Sequence, residues 1–238
     1  MNLKTTAIAL TGLLLMTAEA SAEMKWSTFS LSLLHGEDYE VGLPERDVLT
    51  AEHASGHSWG DNFFFIDHLT DSEDGVSNYF ELSPRLSLSY LTGKELKLGF
   101  IKDFYLAGTW EGSDAFNNYL FGAGVGLDVP GFKYLNVNIY RAQNQLWEDD
   151  SQLTVTWGVP FKIGSAQFLF DGFMDHTPSV GDRATETNFT PQLKWDMGAA
   201  LGMSSPFYLG LEYVYWKNKF AIDGVTEKNP NLLVKWHF

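Results

Sequence analysis

Apolar and polar side chains alternate with a period of two along most of this chain, and no other feature of the sequence limits its possible folds so strictly. Period two sends successive side chains to opposite faces of an extended strand. From Leu232 onward, Leu232, Val234, Trp236 and Phe238 share one face while Asn231, Leu233, Lys235 and His237 share the other. The same rule sorts Phe207, Leu209, Leu211, Tyr213 and Tyr215 from Tyr208, Gly210, Glu212, Val214 and Trp216. It recurs over 189–197, 153–159, 135–139, 119–127 and 82–90. A soluble sandwich also alternates, because one face of each sheet is buried and the other wet. The rings decide between the two. Tyr119, Trp157, Trp195, Tyr215 and Trp236 bracket the apolar faces, as aromatic girdles do where a transmembrane barrel meets lipid headgroups. The sequence therefore predicts an all-β fold, a closed antiparallel transmembrane β-barrel with its apolar face toward lipid.

Residues 1–22 read as a secretory signal: Lys4 gives a positive start, 7–16 an apolar run, and Ala20-Ser21-Ala22 a small-residue cleavage site. One barrel domain is then expected over 23–238. Beyond Ala22 there is no run of about 18 apolar residues that would form a spanning helix. Turn-like joints at 56–59, 92–93, 130–131, 163–165 and 204–206 alternate with longer polar stretches at 37–46, 71–78, 111–115, 146–150, 177–187 and 221–228. Six long and five short connections imply about twelve strands, with both termini periplasmic and the acidic long loops outside. Closure pairs every backbone group and leaves no sheet edge in lipid. A last strand ending on Phe238 resembles the insertion signal of outer-membrane barrels. It points to the Gram-negative outer membrane, its lipids and the barrel-assembly machinery as surroundings and partners.

With Lys+Arg 16 against Asp+Glu 30, the net charge of −14 argues against a nucleic-acid partner, which requires a basic footprint. The absence of cysteine removes thiolate nucleophiles and Cys-ligated zinc or iron–sulfur centres. His176 beside Asp175 and Thr177 comes nearest to a catalytic grouping, but no paired motif fixes it, and no enzyme is expected. The carboxylates at 148–150 and 71–74 read as solvated loop acids rather than a calcium site, and neither metal nor cofactor is expected. Function then falls to the inward face. Glu52, Phe63, Phe65, Asp67, Glu81, Arg85, Asp171, Phe173, Glu212 and Trp216 belong to it, so rings alternate there with acids. Rings stack and carboxylates accept from hydroxyls, a combination suited to a flat polar solute with an aromatic part. In the alternative reading Glu81 and Arg85 join a charge network that fills the barrel, and Phe63-Phe64-Phe65 packs its wall. The protein is then a structural barrel or a surface receptor for phage, with 177–187 the foremost contact loop.

Tyr79-Phe80-Glu81-Leu82-Ser83-Pro84-Arg85-Leu86-Ser87, with Leu91-Thr92-Gly93-Lys94 and Gly99-Phe100-Ile101-Lys102-Asp103-Phe104-Tyr105-Leu106-Ala107, resembles a block of the nucleoside-specific channel family, Tsx and its OmpK relatives. Glu52, the strand from Phe63, and Asn136-Val137-Asn138-Ile139-Tyr140 are similar as well, and the shorter chain suits the OmpK branch. The resemblance implies a monomeric twelve-stranded barrel with a narrow lumen, passive uptake of nucleosides or other small solutes, and use by phage as a receptor. Glu52, Glu81, Arg85 and Lys102 match the family pattern, as do the aromatic positions around Phe63 and Phe65. These residues, with Asp67 and Trp216, are the expected lining.

Overall fold

The computed structural model describes residues 23–71 and 75–238; the expected signal segment 1–22 lies outside the described residues. Among the described residues twelve antiparallel strands follow in chain order. They are β1 (Met24–Gly36), β2 (Arg46–His57), β3 (Gly60–Asp71), β4 (Val76–Ser87), β5 (Ile101–Ser113), β6 (Asn117–Leu127), β7 (Tyr134–Gln143), β8 (Asp150–Ile163), β9 (Ala166–Thr177), β10 (Glu186–Asp196), β11 (Phe207–Lys217) and β12 (Thr226–His237). Each pairs with its chain neighbours, and β1 closes on β12 from Ser30↔His237 to His35↔Leu232. No edge remains open, the condition for a sheet to sit in hydrocarbon. None of the described helices is long and apolar enough to cross a membrane. Both ends of the described chain lie at one end of the barrel, where Phe238 N–H donates to the Phe29 carbonyl and Ser58 N–H to that of Glu23.

The register carries the alternation round the barrel. Ser30, Glu52, Phe65, Glu81, Glu111 and Asn118 form one continuous row of paired residues, all on the inward face. Leu31, Leu49, Phe121, Ile139, Leu193, Leu211, Leu232 and Trp236 stand exposed on the outward face, where lipid is their solvent. Trp157 also points outward, but Phe189 and Phe170 cover it, with ring centroids 5.5 and 6.1 Å away.

Two expected strand ends turn out otherwise. Leu88 and Tyr90 continue the alternation of β4 in sequence, yet they lie in a helical turn, α1 (Leu88–Thr92). The Ser87 hydroxyl caps that turn by accepting from Tyr90 N–H at 3.0 Å, and Gly93 ends it at φ 64°. Met197 likewise leaves β10 for α2 (Met197–Ala200), capped by Asp196, which accepts from Ala199 N–H at 2.9 Å. The joints expected to be tight at 92–93 and 204–206 are therefore the long connections 88–100 and 197–206, both at the end that carries the termini. Conversely Glu111 and Asp150, expected in loops, are paired strand residues facing inward.

Inward glycines let β6 approach β7 closely. A Cβ on Gly122 would sit 1.8 Å from the Ile139 carbonyl oxygen, whereas on Gly108 the nearest atom would be 3.7 Å away. Gly122→Ala is expected to destabilise the refolded barrel by about 1–3 kcal/mol through overpacking. Gly108→Ala is expected to carry no such penalty. Urea unfolding midpoints of the two variants compare them directly.

Candidate functional site

The lumen is filled unevenly. Along β12 and β1 its side chains are sealed: Asn229 and Leu233 are 0% exposed, and Ser30, Ser32 and Lys235 are buried too. Partial exposure survives on β3 and β4 and, across the closed sheet, from β8 to β11. Phe63, although inward, keeps 38% of its surface.

On β3 and β4 the accessible wall is aromatic. Ring centroids step from Phe63 to Phe65 (5.9 Å), on to Tyr79 (5.8 Å) and then to Phe116 (6.4 Å). Phe116 stands in the connection after β5, so the ladder climbs from mid-barrel to the mouth remote from the termini. Tilted pairs at such separations are the favoured geometry for packed rings. The opposite wall is polar. Asp175 on β9 accepts from the Thr154 hydroxyl at 2.5 Å and from Gln152 Nε2 at 3.2 Å. Glu81, which takes the Tyr79 hydroxyl hydrogen at 2.6 Å, interacts electrostatically with Glu111 beside it and with Asp175 across the lumen.

Charge is segregated along the axis. Toward the terminus-bearing end, three buried cations are each matched to an acid. Arg85 donates from Nε and Nη2 to Asp61 at 2.8 and 2.6 Å, with its guanidinium 4.5 Å from the Tyr105 ring. Lys194, 1% exposed, meets Asp171 at 2.7 Å and Gln192 at 2.8 Å, and Lys235 is ion-paired with Glu52. Nearer the mouth, Asp67, Glu81, Glu111, Asp175 and Glu212 are held by hydroxyl and amide donors, and none has an ion-pair partner among the described residues. Glu81 and Arg85 thus share a face but not a function: the arginine is clamped and the glutamate looks across the lumen.

The mouth is tied together on one side. Lys219, in a 3-10 turn (Lys219–Ala221) between β11 and β12, meets Glu227 at 2.5 Å and sits over the rings of Trp216 (4.8 Å), Phe220 (5.3 Å) and Tyr39 (5.5 Å). Burial pulls its ammonium below the ordinary lysine value, while Glu227 opposes that shift. The connection 37–45 is fastened to the same strand, with Asp38 N–H donating to Asn229 at 3.1 Å and Glu40 N–H to Glu227 at 3.0 Å. Trp216 Nε1–H donates to Glu186 at 2.6 Å, and Arg183 meets Asp150 at 3.0 Å beneath Trp147.

Seven of the eight residues expected to line the lumen, Glu52, Phe63, Phe65, Asp67, Glu81, Arg85 and Trp216, face inward in the strand register. Lys102 lies apart from them, exposed in a bulge at the start of β5 where the register shifts, with its chain over Gly126. The sequence reading missed Tyr79 and Phe116 as rungs and Lys235 as the partner of Glu52. Tyr79 was detectable, standing two positions from Glu81 on the same face, whereas Lys235 and Glu52 meet only because the barrel closes. His176 faces lipid, bonded to Thr187 at 2.9 Å, while its neighbour Asp175 faces the lumen, so the sequence-adjacent pair is split across the wall. Among the described residues no three His, Asp or Glu are grouped to hold a metal ion.

A family model described as the nucleoside-specific channel-forming protein Tsx matches residues 22–232. An outer membrane protein OmpK of Vibrio parahaemolyticus serotype O3:K6 is 27% identical over 173 residues, 65% of this chain and 64% of that protein. The chain thus spans just under two thirds of that relative's length. A second Vibrio parahaemolyticus OmpK is 23% identical over 219 residues, 84% of this chain and 75% of its own. A solved KdgM porin in complex with disordered oligogalacturonate has a TM-score of 0.53 at 10% identity, over 88% of this chain and 99% of that one, a likeness of fold alone.

Proposed function

The chain belongs to the Tsx family of nucleoside-specific channel-forming proteins of the outer membrane, and from that membership we propose that it admits nucleosides by passive diffusion along the aromatic ladder. In this reading the termini are periplasmic and the ladder opens outward at Phe116. The observation that carries it is the pairing of two unlike walls. A nucleobase stacks on Phe63, Phe65 and Tyr79 while sugar hydroxyls donate to Asp175 and exchange hydrogen bonds with Gln152 and Thr154. Asp67 and Glu81 serve as acceptors along the path, and Trp216 and Glu52 frame it. Arg85, held by Asp61, fixes the wall near the exit, and Lys102 lies at the periplasmic rim.

The unpaired carboxylates near the mouth set the charge rule. They offer a phosphorylated solute no counter-ion on the way to the ladder, whereas a neutral nucleoside needs none. In a planar bilayer, adding nucleoside to the reconstituted protein is expected to block single-channel current in a concentration-dependent way. The corresponding 5′-monophosphate is expected to require a much higher concentration. Stable insertion with no solute-sensitive current would sink this reading. It would favour a second one, a phage receptor presenting the tied mouth, on which Trp147, Phe220 and Ile222 stand about half exposed.

A further inference from the structure

The acids of this protein are sorted away from its outer wall. Thirty Asp and Glu stand against sixteen Lys and Arg, yet among the described strand residues that face outward Asp47 is the one carboxylate, held by His35 at 2.8 Å. On β11 and β12, at the rim by the mouth, two outward positions are cationic instead, Lys217 and Lys228. His176, Thr187, Lys217 and Thr226 form one paired row across β9 to β12, and Met174, Phe189, Tyr215 and Lys228 form a row nearer mid-barrel. Lys217 and Lys228 are therefore diagonal neighbours on adjacent strands, about 7–8 Å apart at the backbone. Both are exposed, and neither has a hydrogen-bond or ion-pair partner among the described residues. Directly beneath them toward mid-barrel begins the unbroken apolar strip of Tyr213, Leu211 and Leu232.

We infer that Lys217 and Lys228 form a binding site for the phosphate of an anionic glycolipid of the outer leaflet, whose acyl chains lie down the strip below. This rests on the outward-facing mouth of the proposed function. Two ammonium groups at this spacing bracket one phosphate from either side, each as a mobile point charge. The order of surfaces picks a lipid over free phosphate. The cations stand at headgroup level and the apolar strip begins immediately below, so the fitting ligand carries its anionic head and its chains in that order. With the lumen and the loops acidic, these lysines also give the barrel a defined lateral contact with an anionic leaflet that the rest of its charge would repel.

Native mass spectrometry of the full barrel in detergent, titrated with bisphosphorylated lipid A, tests the site. The Lys217→Gln/Lys228→Gln variant is expected to bind roughly 25-fold more weakly, about fivefold per lysine. Arg141→Gln, an outward cation on β7, is expected to leave this affinity unchanged. Undiminished binding by the double variant, or equal binding of dephosphorylated lipid A by the natural protein, would overturn the proposal. Inorganic phosphate that binds as tightly as the lipid would overturn the choice of ligand. Unaltered solute block in the double variant shows that its barrel is intact. Orientation is read separately: the chain has no cysteine, so Asp223→Cys gives one label site in the β11–β12 connection. Its labelling on intact cells by an impermeant maleimide reports which way the mouth faces. Protection from that reagent would overturn the assigned leaflet and the direction of uptake, while leaving the lipid affinity in detergent as a measured quantity.

Discussion

Phe63→Ala combined with Phe65→Ala raises the nucleoside concentration for half-block of the channel by about ten- to a hundredfold. The expectation follows from what the two rings do in the lumen. They are consecutive inward residues of β3, 5.9 Å apart, and Phe63 keeps an open face. A stacked base contributes roughly 1–3 kcal/mol by alanine substitution, and 1.4 kcal/mol is a factor of ten, so losing two rungs accounts for that range. Phe64 between them points to lipid, and Phe64→Ala is the internal control: it removes the same mass from the same segment and leaves the block unchanged. Single-channel recordings separate the cases. Equal effects from all three positions would mean that the segment only packs the wall.

The largest expected loss of stability comes from Lys194→Met. The Lys194 ammonium is nearly sealed from water between Asp171 and Gln192 and stands 5.7 Å from the Tyr208 ring. Removing it strands the Asp171 carboxylate, 13% exposed, without its cation. Breaking such a pair from one side costs about 3–5 kcal/mol, most of it for the orphaned charge. Lys194→Met/Asp171→Asn is expected to recover more than half of that loss, because a neutral amide needs no counter-ion there. Urea unfolding midpoints for the two single variants and the double variant close the cycle. A double variant no more stable than Lys194→Met alone would show that the lysine stem and its packing, not the charge pair, matter at this level.

What was legible in the sequence is what period two encodes. Strand identity and facing follow from side-chain alternation alone, so Glu52, Phe65 and Glu81 were placeable on the inner wall from spacing, without knowing which strands touch. Leu88 and Tyr90 show where that signal fails. They keep the alternation, but Asp103, fourteen positions beyond Ser89, accepts from both the Ser87 and Ser89 hydroxyls and helps turn the chain there. Lys102 entered through the family resemblance and not through alternation, and it stands in a bulge that shifts the register between Ile101 and Asp103, where a pattern of twos has no symbol for one extra residue. The ion pair of Glu52 with Lys235, 183 positions apart, exists only through closure of β1 on β12. Its two members were on the correct face in the sequence, but their meeting was not written there.

The uneven filling of the lumen also bears on which molecules are sorted. With the inward side chains of β12 and β1 sealed, any path through the lumen is displaced toward the aromatic wall of β3 and β4. A planar heterocycle taking the proposed route keeps one face to the rings of Phe63, Phe65 and Tyr79 and surrenders its tumbling at the mouth. On the proposed uptake, sorting is by thickness more than by molecular mass, and a flat purine is expected to pass where a puckered cage of equal weight is stopped.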